Sequence, residues 1–161
     1  MLYNSSFTLA GDTVTVKEIR EVAEGKDASI TTASQPGRSL PSILCIDDDP
    51  EIAKIWRIRL ARLGVDVASA VDGEAGFAAA LQQHPDLILL DVCMPGGDGN
   101  CVLSRLRSHP QTRRIPVLVL TGGDAATARR LTSQHGADDY LTKPLNFAAL
   151  LEKLRRYLPI S

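Results

Sequence analysis

This chain has almost no excess charge of either sign: 18 lysines and arginines stand against 19 aspartates and glutamates in 161 residues, a formal net charge of −1. So even a balance gives no electrostatic footprint for nucleic acid or for a membrane surface. Long apolar runs are missing as well. None approaches the ~20 residues of a membrane-spanning helix, and no basic stretch leads into an apolar core at the N-terminus, so neither a span nor a secretory signal is expected. Cysteine is scarce: Cys45, Cys93 and Cys101 are an odd count without a Cys-x-x-Cys pair. They read as free thiols of a reducing cytoplasm. His84, His109 and His135 are scattered, and two of them adjoin turn prolines or glycines, which suits surface or turn positions better than a His/Cys metal site. What is present is a globular composition, 44% hydrophobic and 23% charged.

The chain divides by composition. Residues 1–40 hold one short β-like run, "TVTV" (Thr13–Val16), and one amphipathic turn or two, "VKEIREVA" (Val16–Ala23). The Ser/Thr/Gly/Pro-rich stretch "GKDASITTASQPGRSLP" follows, with too little apolar surface for a core. This part is expected to be a flexible extension and linker, and 41–161 a single domain. From Ile43 the runs "ILCI", "VDVAS", "LILL", "VLVL" and "YLT" read as strands. They alternate with helix-length stretches at Pro50–Leu63, Gly73–Gln82, Gly99–Arg107, Ala125–His135 and Phe147–Tyr157, punctuated by Gly64, Pro85, Pro116 and Gly136. Five strands alternating with five helices predict an α/β fold, a doubly wound parallel sheet with helices on both faces. "LILL" and "VLVL" are unbroken apolar runs, as expected of strands buried on both sides.

Ligands of such sheets bind beyond the carboxyl ends of the strands. The first strand ends in Asp47 and Asp48, the third in Asp91, the fourth in Thr121 and the fifth in Lys143, whereas the second ends in Ser69–Ala70. If the first and third strands are neighbours, three carboxylates converge at one edge. Converging carboxylates repel, and a hard divalent cation offsets that; Mg²⁺ suits carboxylates plus phosphate oxygens. A lysine and a hydroxyl opposite suit the remaining oxygens of a phosphoryl group. Asp49, directly before Pro50, is expected to cap the first helix instead.

The stretch from Ile43 to Leu158 resembles the receiver domain of two-component response regulators, the CheY-like family. The resemblance rests on the acidic pair after the first strand, "LLDVCMPGGDG" around Asp91, "VLVLTGG" and "GADDYLTKPL". It implies a flavodoxin-like strand order 2-1-3-4-5 and a phosphoacceptor at Asp91, charged by a histidine kinase or phosphotransfer protein. It implies Mg²⁺ held by Asp47, Asp48, Asp91 and the backbone carbonyl of Cys93, with Lys143 and Thr121 on the phosphoryl oxygens. Tyr140 would be the aromatic that swings inward as Thr121 moves, and Lys143–Pro144 a cis peptide. Output would pass through the face of the fourth helix, fifth strand and fifth helix, to a protein target or a second copy. Helix five, "FAALLEKLRRYL", has more apolar residues than one buried stripe needs. No direct contact with nucleic acid or membrane is expected, and the location is cytoplasmic. Cys93, Gly122 and Gly123 depart from the residues relatives often carry beside the phosphoryl group, which bears on phosphoryl lifetime. No effector domain follows Leu158 in this sequence, so output is expected through contacts or from another chain.

Two other readings compete. "IDDDP" contains the Asp-x-Asp of haloacid-dehalogenase-type phosphohydrolases, but Lys143 then follows the acidic pair Asp138–Asp139 rather than preceding it, and Asp91 has no role. Turnover of a phosphate monoester would mark that enzyme, whereas a receiver accepts one phosphoryl group. A receiver-like interaction module that works without phosphorylation is the second, although such modules usually lose an acidic residue or the lysine, and both are present here.

Overall fold

Local chemistry starts the first helix of the larger unit. Asp49 adopts an extended conformation, its Oδ1 accepts from the Glu51 N–H at 3.0 Å, and Pro50 takes the first helical position where no N–H is needed. The computed structural model describes residues 7–9, 12–14, 40–95 and 99–160. By contact the chain separates into Met1–Ser39 and Leu40–Ser161. In the first unit, β1 (Phe7–Leu9) pairs antiparallel with β2 (Asp12–Val14). β2 overlaps the strand expected at Thr13–Val16; the helix expected at Val16–Ala23 and the linker up to Ser39 lie outside the described residues.

The second unit runs β3 (Ser42–Ile46), α1 (Pro50–Ala61), β4 (Asp66–Ala70), α2 (Gly73–Gln83), β5 (Leu87–Asp91), α3 (Gly99–Ser108), β6 (Val117–Thr121), α4 (Ala125–His135), β7 (Asp139–Thr142) and α5 (Phe147–Tyr157). Its five strands are parallel in the order β4-β3-β5-β6-β7, the 2-1-3-4-5 order of the flavodoxin-like fold. Helix α1 stops two residues short of the expected Leu63. The Leu63 N–H turns back to the Leu60 carbonyl, and Gly64 with φ 69° reverses the chain.

Alternation along the strands splits the core in two. Ile43, Cys45, Leu87, Leu89, Leu118 and Leu120 meet Ala53, Trp56 and Leu60 of α1 and Leu150 and Leu154 of α5. Leu44, Ile46, Ile88, Leu90, Val117 and Val119 face Ala80 of α2 and Val102, Leu103 and Leu106 of α3. β5 and β6 are buried at every residue, which is why their runs show no alternation in sequence. Trp56 stacks on Phe147 with ring centroids 6.0 Å apart, joining α1 to α5. Truncating a buried side chain of that size costs about 3–5 kcal/mol. Of the extra apolar residues in α5, Phe147 and Tyr157 pack on this same cluster, and Leu151 is half-buried. No described helix is long and apolar enough to cross a membrane.

Candidate functional site

The register places the polar strand ends together. β3 lies between β4 and β5, and β5 pairs with β6, so Asp47, Asp91 and Thr121 emerge at neighbouring positions of one edge. Burial is severe for such groups: Asp47 and Asp91 are each 2% exposed and Thr121 is 1% exposed. Asp48, one residue on, is exposed. One carboxylate oxygen from each of Asp47, Asp48 and Asp91 lies within 4.8 Å of the others.

Each buried group has a defined set of partners. Asp91 Oδ1 accepts from the Cys93 N–H at 2.8 Å, and Oδ2 pairs with Lys143 Nζ at 2.7 Å. The lysine arrives through a cis Lys143–Pro144 bond directly after β7, anchored by its N–H on the Thr121 carbonyl at 2.8 Å. Asp47 Oδ1 accepts from the Asp49 N–H at 2.9 Å, while Asp47 Oδ2 is buried without a hydrogen-bond partner among the described residues. Burial pushes the Asp47 carboxyl above the ordinary aspartate value, and the charges of Asp91 and Asp48 push the same way against Lys143 and the Asp49 N–H. Burial works against the charge on Lys143, but its hydrogen bond to Asp91 and the fields of Asp91 and Asp47 leave its pKa raised. Thr121 Oγ1 accepts from the Gly123 N–H at 3.0 Å.

An unpaired, buried carboxylate oxygen among three carboxylates is costly unless a cation completes the set. The donors are hard oxygens, and the orphaned Asp47 Oδ2 is a ready ligand; the residues fit Mg²⁺. Cys93 is exposed on the loop after β5, beside the Asp91 carboxylate through its N–H. Asp49 is spent on its cap.

Known proteins point the same way. The model of the response regulator receiver domain matches residues 43–155. The chain belongs to this family. The DNA-binding dual master transcriptional regulator RpaA of Synechocystis is 45% identical over 119 residues, 74% of this chain and 49% of RpaA. The response regulator PleD of Caulobacter vibrioides is 38% identical over 113 residues, covering 70% of this chain and 25% of PleD. The receiver thus spans half the length or less of these two relatives. Among solved structures, the chemotaxis protein CheY4 of Vibrio cholerae aligns with a TM-score of 0.68 at 30% identity, covering 74% of this chain and 99% of that one. The receiver domain of the sensor histidine kinase PA1611 of Pseudomonas aeruginosa, with a magnesium ion coordinated in its active-site cleft, aligns with a TM-score of 0.65 at 32% identity, covering 73% of this chain and 96% of that one.

Of the residues singled out in the receiver's sequence, Asp47, Asp48, Asp91, Cys93, Thr121 and Lys143 meet at the edge, while Tyr140 stands apart. It is half-buried on β7, and its ring lies 5.3 Å from Lys153 Nζ of α5. That lysine pairs with Asp139 Oδ1 at 2.5 Å, and the same oxygen accepts from the Tyr140 N–H at 2.8 Å. Sequence reasoning missed Lys153, because a lysine ten residues beyond a lysine–proline pair carries no local signal. It also missed Gly99, the first residue of α3. A Cβ there would sit 2.4 Å from Val92 Cα and 2.8 Å from the Asp91 carbonyl oxygen, so the backbone carrying Asp91 and α3 pack in contact. The signal was only that Gly99 opens a helix after a Gly/Asp-rich turn.

Proposed function

We propose that this receiver accepts a phosphoryl group on Asp91 from a histidine kinase or a phosphotransfer protein, with Mg²⁺ held by Asp47, Asp48, Asp91 and the Cys93 carbonyl. The observation that carries the reading is the Asp91 carboxylate, buried, paired with Lys143 and crowded by two further carboxylates whose repulsion Lys143 offsets only in part. In the transfer, an Asp91 oxygen forms the new O–P bond as the P–N bond of the phosphohistidine breaks. The electron pair leaves with the imidazole, and the product is an acyl phosphate. Mg²⁺, when bound, neutralises charge on the carboxylates and on the phosphoryl oxygens. Lys143 exchanges its Asp91 contact for a phosphoryl oxygen, remaining charged because its pKa is raised.

Thr121 supplies the switch. Its hydroxyl gains a charge-assisted hydrogen bond only by moving toward the phosphoryl group, and Tyr140 follows into the space it leaves. The altered face comprises α4, β7 and α5, which engages a downstream protein or a second copy of the chain. The role is that of a signalling phosphoacceptor with slow self-dephosphorylation, in a cytoplasmic pathway.

Acetyl phosphate with Mg²⁺, read by intact mass, tests this. Wild type should gain the mass of one phosphoryl group, Asp91→Asn should gain none, and Asp48→Ala should need more Mg²⁺ for the same extent. Equal, metal-independent labelling of Asp91→Asn refutes the assignment. An unlabelled wild type would leave only an interaction module.

A further inference from the structure

A cleft of about 380 Å³ opens beside the acidic edge and runs between α3 and α4. The end next to the acidic edge is lined by Cys93, Thr121 and Gly123, and the rest by Asn100, Thr127, Arg130, Gln134 and His135. Two features define what it suits. The volume is at the low end for small-molecule pockets and equals about a dozen water volumes, enough for a small organic ion but not for a protein segment. Among the described residues, the one lining side chain that carries a fixed charge is Arg130; His135 and the Cys93 thiol can take charge, no carboxylate is in the lining, and Asn100, Thr127 and Gln134 add neutral hydrogen-bonding groups. Asp124 lies near Arg130, but its Oδ1 caps α4 by accepting from the Thr127 N–H at 2.8 Å.

The cleft is joined mechanically to the switch residue. The Gly123 N–H donates to Thr121 Oγ1, and a Cβ on Gly123 would lie 2.9 Å from Thr127 Cγ2 and 3.3 Å from Thr121 Oγ1. Glycine therefore fills the whole space between the Thr121 hydroxyl and the first turn of α4. A hydroxyl can donate to a phosphoryl oxygen while it accepts from an N–H, so moving Thr121 Oγ1 toward a phosphoryl group draws on Gly123 through that bond, and the Gly123 backbone lies close to Thr127 of the cleft lining.

We propose that this cleft binds a small organic anion, a phosphate- or carboxylate-bearing metabolite held by Arg130, and that its occupancy and phosphorylation of Asp91 influence each other through Thr121, Gly123 and Thr127. The coupling rests on the phosphoacceptor reading; the binding does not. Linkage makes the effect reciprocal: whatever factor phosphorylation changes the anion's affinity by, the anion changes the phosphorylation equilibrium by the same factor.

Phosphonoacetate is a suitable probe, because its C–P bond cannot donate a phosphoryl group. Amide spectra titrated without metal should show saturable shifts at Gly123, Thr127, Arg130 and Gln134. Arg130 is exposed, so Arg130→Gln should fold normally and bind roughly tenfold or more weakly, as expected for losing a charge-assisted hydrogen bond. Lys143→Ala should bind as wild type does. No saturation by about 20 mM, indifference to Arg130→Gln, or loss in Lys143→Ala would each overturn the site, the last by moving the anion to the acidic edge. With Mg²⁺ in excess, saturating phosphonoacetate should change the extent of acetyl-phosphate labelling in wild type but not in Arg130→Gln; an equal change in both overturns the coupling. Failure of wild type to label at all, with the shifts intact, would sink the phosphoacceptor reading and leave the anion site standing.

Discussion

Replacing Asp47 by asparagine should make the metal-free receiver more stable while removing the response to Mg²⁺. The amide oxygen of the new side chain can still accept from the Asp49 N–H, so the loop bond is kept, while the charge is lost and an NH2 donor replaces Oδ2 among acceptor carboxylates. The carboxylate oxygens lie within 4.8 Å of one another, and at that outer limit two charges repel by about 3.5 kcal/mol at an effective dielectric of about 20. Asp91 exerts this on Asp47; exposed Asp48 adds a screened share, and Lys143 offsets part of the total. Neutralising Asp47 is therefore worth about 1–3 kcal/mol, or roughly 4–12 °C in Tm for a domain of this size. Mg²⁺ acts the other way. For a dissociation constant near 1 mM, about 10 mM Mg²⁺ stabilises wild type by roughly 1.4 kcal/mol and the variant hardly at all, closing the gap. Acid closes it too. The folded protein holds Asp47 above its unfolded pKa, so wild type is penalised above the folded pKa; the penalty fades as pH falls through that value and is gone below the ordinary 3.8. Thermal melts at neutral pH in chelator, at neutral pH in Mg²⁺, and in an acidic series in chelator give all three readings. A variant no more stable than wild type in chelator, or equally stabilised by Mg²⁺, would refute the account of Asp47 as a buried charge only partly compensated.

Three further outcomes are expected. Gly99→Ala should destabilise the domain by about 1–3 kcal/mol and slow labelling by moving the backbone under Asp91, whereas Gly122→Ala, whose added Cβ meets only Cys93 Sγ at 4.0 Å, should be near neutral; denaturant melts and labelling rates compare them. Lys153→Met removes the cation beside the Tyr140 ring, an interaction of about 0.5–1 kcal/mol, and should shift the Tyr140 equilibrium and unphosphorylated partner or self-association by roughly two- to fivefold, with Lys153→Arg restoring it. A chain beginning at Ser39 should fold and accept label at the full-length rate, since every residue of the acidic edge lies in Leu40–Ser161; a large loss of either would mean that residues 1–38 support the domain.

The elements of the receiver, their order and the residues at the strand ends could be read from the chain before any packing was known. Those signals are local: Asp49 before Pro50 is a helix-start pair, and the short unbroken apolar runs of β5 and β6, bounded by Pro and Gly, suit strands buried on both faces. The acidic pair, Asp91, Thr121 and Lys143 were legible because each stands where an apolar run stops. How these residues meet came from packing between elements. Asp91 and Lys143 are 52 positions apart, and nothing local encodes their 2.7 Å contact. The orphaned Asp47 oxygen, the backbone pressed against Gly99, the lysine beside Tyr140 and the cleft along α4 likewise exist only where separate elements pack. Distances between residues remote in sequence are set by strand register and helix packing, and burial, charge coupling and cavities follow from those distances.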